Sequence, residues 1–141
     1  MTVQQCIPHR EPFLFVDEIL RADQDGVIGT KHFSGEEFFF VGHFPEYPVV
    51  PGVLLIEAMA QCGGAGIRKA GIFTETTVFF LATVDKVKFR RQVVPGDTVR
   101  FEIENLRVTK QMLKQSGKTY VGDELAAEAV WMALIRQEEQ S

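Results

Sequence analysis

The stretch from Gly52 to Gly71, GVLLIEAMAQCGGAGIRKAG, constrains the chain most. It is a long, mostly apolar run holding a single carboxylate, Glu57. A membrane-spanning helix needs about 20 apolar residues, and this run approaches that length. Glu57, Gln61, Arg68 and Lys69 interrupt it, however, and glycines recur between Gly63 and Gly71. Those glycines weaken a helix but allow close backbone approach. The run therefore reads as a buried helix at the centre of a sheet. Pro51 suits a helix start, and Gly71 suits a stop, with Arg68 and Lys69 favourably placed in the last turn.

At 141 residues the chain reads as one domain, 1–141, long enough for a hydrophobic core. Hydrophobic residues make up 45% and charged residues 24%, which excludes a disordered chain. A net charge of −4 argues against a general nucleic-acid binder. The start, MTVQQCIPHR, lacks the apolar segment of a secretory signal. Cys6 and Cys62 have no motif spacing and read as reduced thiols of a cytoplasmic protein.

In chain order, Phe13 to Val16 looks like the start of a buried strand. Asp25-Gly26 signals a turn, and Val27 to Phe33 reads as the second strand of a hairpin. Ser34 to Gly42 reads as a loop. After the helix, Thr77 to Phe89 reads as a long strand with Asp85, Val87 and Phe89 on one face and Lys86, Lys88 and Arg90 on the other. Val94 to Asp97 is a turn. Val99, Phe101 and Ile103 alternate with Arg100, Glu102 and Glu104, as in a half-buried antiparallel strand. Ser116-Gly117-Lys118 reads as another turn. Tyr120 to Ile135 has high helix propensity, yet the preceding strands need a partner, so strand is the reading. The inventory is one long helix and about six strands, an α+β architecture.

His43 lies in a loop stiffened by Pro45, Pro48 and Pro51, which suits a histidine that must be held in place. Glu57 sits among Val53, Leu54, Ala60 and Gln61 on its helix face. Either residue has a plainer reading: a surface-loop histidine, and a carboxylate in a structural ion pair. Together they fit general acid–base work. Burial would raise the Glu57 carboxyl pKa, so that it donates a proton while neutral His43 accepts one. The helix start at Gly52-Val53 offers backbone N–H groups to a carbonyl oxygen gaining charge. Glu57 follows five residues on, about 7.5 Å along the axis. That separation suits enolate chemistry beside a carbonyl and loss of a β-hydroxyl as water, though other carbonyl chemistry stays open.

The string HFPEYPVVPGVLLIEAMAQ resembles the hallmark of the β-hydroxyacyl-acyl carrier protein dehydratases of fatty acid synthesis, the FabZ type. The resemblance continues in IPHREPFLFVDEI, KVKFRRQVVPGD and GDELAAEAVWMALI, and so covers nearly the whole chain in order. It implies the hot-dog fold, a long central helix wrapped by an antiparallel sheet. It also implies a homodimer, often built into a hexamer, with active sites shared between subunits and no cofactor. By position His43 and Glu57 match the catalytic pair, and Gly52 the backbone donor to the thioester carbonyl. Related dehydratase-isomerases carry aspartate where Glu57 stands, so glutamate implies plain dehydration. The segment Ser34-Gly35-Glu36-Glu37-Phe38 departs from the pattern, lacking an asparagine and a proline expected before the histidine loop.

The family's substrate hangs on acyl carrier protein, which is acidic. Lys86, Lys88, Arg90, Arg91, Arg68 and Lys69 are the docking candidates, with an ordinary solvated face as the alternative. Phe38, Phe39, Phe40, Phe79 and Phe80 are candidates for an acyl tunnel, with core packing as the alternative. His9 and His32 read as structural or surface residues. No histidine–carboxylate spacing resembles a metal site, and no glycine-rich phosphate loop is present. Two rivals remain at this point: a hot-dog acyl thioesterase, and a non-catalytic acyl-binding subunit. A dehydratase of a specialised polyketide-like pathway would look the same.

Overall fold

The computed structural model describes residues 1–42, 46–73 and 77–137. The described elements are α1 (Val3–Cys6), β1 (Glu18–Ala22), β2 (Gly26–His32), α2 (Phe39–Gly42), α3 (Gly52–Lys69), β3 (Thr77–Phe89), β4 (Thr98–Val108), β5 (Met112–Val121) and β6 (Glu124–Gln137). The six strands form one antiparallel sheet in the order β1-β2-β4-β5-β6-β3. The α+β expectation holds, and the sheet wraps α3.

Helix α3 is sheathed because its residues from Gln61 to Ile67 are all buried. Small residues let it approach the strands. A Cβ on Gly66 would collide with the Val27 side chain of β2. The sheet supplies Val99, Phe101 and Trp131, each 1% exposed or less, to the helix side. The Trp131 indole N–H donates to Gln115 Oε1 at 3.3 Å, so this buried ring has its polar atom satisfied. Pro51 caps the helix start without a side-chain bond. At the other end Gly71, at φ +75°, donates to Arg68 O and Ile72 donates to Ile67 O. These two bonds close a Schellman motif and explain the stop at Gly71.

Several local expectations are corrected. Leu14, Phe15 and Val16 are buried but precede β1, because Gln61 rather than a neighbouring strand serves the backbone of Phe13 and Phe15. The segment 34–42 is a loop closed into a short helix. Glu37 accepts hydrogen bonds from the backbone N–H groups of Ser34 (2.7 Å) and Gly35 (3.0 Å), and α2 follows. Glu37 thus organises the stretch that departs from the family pattern. Ser116-Gly117-Lys118 is no turn but the middle of β5. Gly117 is there for space, since a Cβ would stand 2.5 Å from the Trp131 ring. The alternation along β3 also fails. The register slips between Asp85 and Lys88, with Lys86 at φ +52°, a bulge that takes Lys86 out of phase with Lys88 and Arg90. Helix α1 was not anticipated; its signal is the capping box of Thr2 and Gln5.

Candidate active site

Glu57 projects from the second turn of α3 into an apolar cavity of about 250 Å³. Ile7, His9, Gln61, Phe79, Phe80 and Trp131 are among its walls. Leu113 and Ala133 extend the apolar lining toward β5 and β6. Glu57 is only partly shielded, with its side chain 23% exposed. Gln61, one turn further along α3, fixes it. The Gln61 Nε2 donates to Glu57 Oε1 at 3.3 Å and to Phe13 O at 2.9 Å, while Gln61 Oε1 accepts from Phe15 N at 2.8 Å.

The helix start provides the second component. Leu54 and Leu55 both donate to Pro51 O, so the N–H groups of Gly52 and Val53 precede the helix's own ladder. A Cβ on Gly52 would stand 2.7 Å from the Phe89 ring, so only glycine lets that ring lie against the helix start. Val53 is 69% exposed. His43 lies outside the described residues.

The remaining candidates separate. Phe79 and Phe80 line the Glu57 cavity. Phe39 and Phe40 are buried in the main core, and Phe38 is half exposed on the surface. Arg90 pairs with Glu128 at 3.5 Å, and Arg91 with Asp97 and Glu124. Lys69 donates to Ile19 O at 3.1 Å. Because Phe89 touches the start of α3 while Arg68 and Lys69 end it, these cations form two groups rather than one patch. Lys86 lines a hollow of about 450 Å³ with Arg21, Asp23, Glu102, Lys118 and Glu128. That hollow is larger, but it mixes charges of both signs and shares no wall with the Glu57 cavity.

His9, read from the sequence as structural or surface, is part of the cavity wall. Its Nε2 lies 3.6 Å from Glu57 Oε1 across the cavity. Burial lowers the His9 pKa; Glu57 opposes that shift and Arg10 reinforces it. The pairing joins residues far apart in sequence, and no local spacing announces it.

Fold and cavity together define a hot-dog domain that presents an oriented carboxylate beside a helix start. The chain belongs to the FabA-like family, whose domain model matches residues 7–130. It is 50% identical to the 3-hydroxyacyl-(acyl-carrier-protein) dehydratase FabZ of Desulforamulus reducens over 136 residues, 96% of this chain and 95% of that one. It is 48% identical to the enzyme of the same name from Pelotomaculum thermopropionicum, covering 95% and 96% of the two chains. Among solved structures it resembles the dehydratase heterocomplex ApeI:P of Xenorhabdus doucetiae, with a TM-score of 0.83, 16% identity, and 99% and 93% of the chains covered. That last likeness speaks to fold alone.

Proposed function

We propose that the chain removes water from a (3R)-hydroxyacyl thioester on acyl carrier protein, giving the trans-2-enoyl thioester, with His43 and Glu57 as its acid–base pair. It is a 3-hydroxyacyl-(acyl-carrier-protein) dehydratase of fatty acid biosynthesis. The observation that carries the site assignment is the placement of Glu57. Its Oε1 is held by Gln61, it faces an apolar cavity, and it sits just beyond the open N–H groups of a helix start.

In the proposed reaction neutral His43 takes the C2 proton. The electrons move toward the thioester oxygen, which the N–H groups of Gly52 and Val53 stabilise. Protonated Glu57 gives its proton to the C3 hydroxyl, which leaves as water as the C2–C3 double bond forms. His43 ends protonated and Glu57 ionised, and one proton passed back restores both. Phe79 and Phe80 flank the acyl chain.

The unit is a single domain over 1–141 that works as a homodimer at least, in the family's pattern a trimer of dimers. Support comes from β3, an edge strand of the sheet with Phe80 and Phe89 more than half exposed. An uncovered apolar edge of that length calls for a partner. The carrier protein docks on Lys88 and Arg90 with Arg91 beside them, so reversing Lys88 and Arg90 to glutamate weakens binding in a salt-dependent way. The protein is cytoplasmic. Among the described residues no helix is long and apolar enough to cross a membrane, and both cysteines are unpaired thiols.

Turnover of hydroxyacyl-carrier substrate by the purified protein tests the reading. His43→Ala and Glu57→Gln should each remove most activity while the fold persists. An active His43→Ala, or thiol release without enoyl absorbance, overturns it, the latter in favour of a thioesterase.

A further inference from the structure

We infer that His9 is a positioning residue for Glu57: together with Gln61 it fixes which carboxylate oxygen carries the transferable proton. The inference rests on the reading of Glu57 as the proton donor.

Both nitrogen contacts fall on the same oxygen. Gln61 Nε2 donates to Glu57 Oε1 at 3.3 Å, and His9 Nε2 faces that atom at 3.6 Å. The other ring nitrogen decides the tautomer. His9 Nδ1 is buried and has no hydrogen-bond partner among the described residues. A buried N–H without a partner is more costly than a bare ring lone pair. The proton therefore sits on Nε2, where it points at Glu57. Oε1 then faces two N–H groups, the amide at 3.3 Å and the imidazole at 3.6 Å, which disfavours a proton on that oxygen. In the acid form the proton belongs on Oε2. A carboxyl group that must deliver a proton in one direction gains from having its other oxygen occupied.

The histidine is held for this purpose. Arg10 Nη1 donates to Ile7 O at 2.9 Å and to His9 O at 2.7 Å, clamping the backbone on both sides of Pro8. Ile7 is 2% exposed and anchors the segment in the core. Gln61 ties Phe13 and Phe15, just downstream, to α3. His9 itself forms part of the cavity wall.

The tautomer supplies a test that a merely structural histidine would not pass. A glutamine side chain can place its N–H₂ near the position of Nε2; asparagine reaches only the position of Nδ1. We expect His9→Ala to lower kcat at least tenfold with KM within about twofold of wild type. His9→Gln should restore most of kcat, and His9→Asn should not. In parallel, ring-nitrogen NMR on the unliganded wild-type protein should show His9 as the neutral Nε2–H tautomer, with its Nε2 resonance moving in Glu57→Gln. Equal activity in all three His9 variants and wild type, while Glu57→Gln is inactive, overturns the inference and leaves the role of Glu57 standing. Equal impairment in all three variants also overturns it, as does an Nδ1–H tautomer. A fully active Glu57→Gln removes the underlying reading instead.

Discussion

Gln61 stands one helical turn after Glu57 and uses both ends of its amide at once: Nε2 donates to Glu57 Oε1 and Phe13 O, and Oε1 accepts from Phe15 N. One buried side chain thus fastens the N-terminal segment to α3 and aims the carboxylate. Gln61→Leu leaves the buried Phe15 N–H without a partner, a loss of about 1–3 kcal/mol. Urea unfolding should show that destabilisation. Steady-state kinetics should show lower kcat as well, because Glu57 loses a donor.

Gly66 has no room for a side chain. In an exposed helix Gly→Ala would stabilise by about 1 kcal/mol. Here a methyl group would press into Val27, and overpacking of that kind costs about 1–3 kcal/mol. Gly66→Ala should therefore lower the thermal midpoint.

Both thiols are shut in. Cys62 is completely buried, and burial pushes its pKa far above the ordinary range; Cys6 is 1% exposed and is raised too, chiefly by burial. A thiol-titrating reagent should react with neither in the native protein and with both after denaturation, since the thiolate is the reactive form.

His9 makes stability depend on pH. Its folded pKa lies below its usual 6.5, first because of burial, with Arg10 adding to the shift and Glu57 resisting it. The unfolded chain therefore binds more protons in the interval below pH 6.5. The stability His9 contributes is complete above that pH and is lost as acid is added down through the folded pKa. Denaturant midpoints taken from pH 7.5 to 5 should fall more steeply for wild type than for His9→Gln.

The proposed homodimer would form through the exposed edge of β3. Val84 and Val87 are exposed in the single chain, so glutamates there barely perturb the subunit's own core. Light scattering on Val84→Glu/Val87→Glu should report a smaller particle than wild type. An unchanged mass would remove β3 from the interface.

The sequence disclosed whatever rests on local pattern. The bounds of α3 followed from a greasy run between a proline and a glycine. The alternation around Phe101 gave β4, and the strand reading of Tyr120 to Ile135 held from Glu124 on, because strands need partners even where alanine-rich segments favour helix; Tyr120 and Val121 instead end β5. What it concealed depends on distant contacts. Gly117 looks like a turn residue until Trp131 from the next strand is seen lying over it. The bulge at Lys86 is invisible in an alternating string. The site divides in the same way. Glu57 stood out as a charge in an apolar run, Phe79 and Phe80 were named as candidates and line its cavity, and His43 falls outside the described residues. His9 gave no sign, since only folding brings it to the helix.

The bulge in β3 has a consequence for manufacture inside the cell. Until the proposed partner covers it, a long strand with one free side is a template for any extended polypeptide nearby. By breaking the regular repeat of its backbone donors and acceptors at Lys86, the chain spoils the match for a stranger. Straightening that kink should leave each subunit folded yet make newly synthesised copies clump.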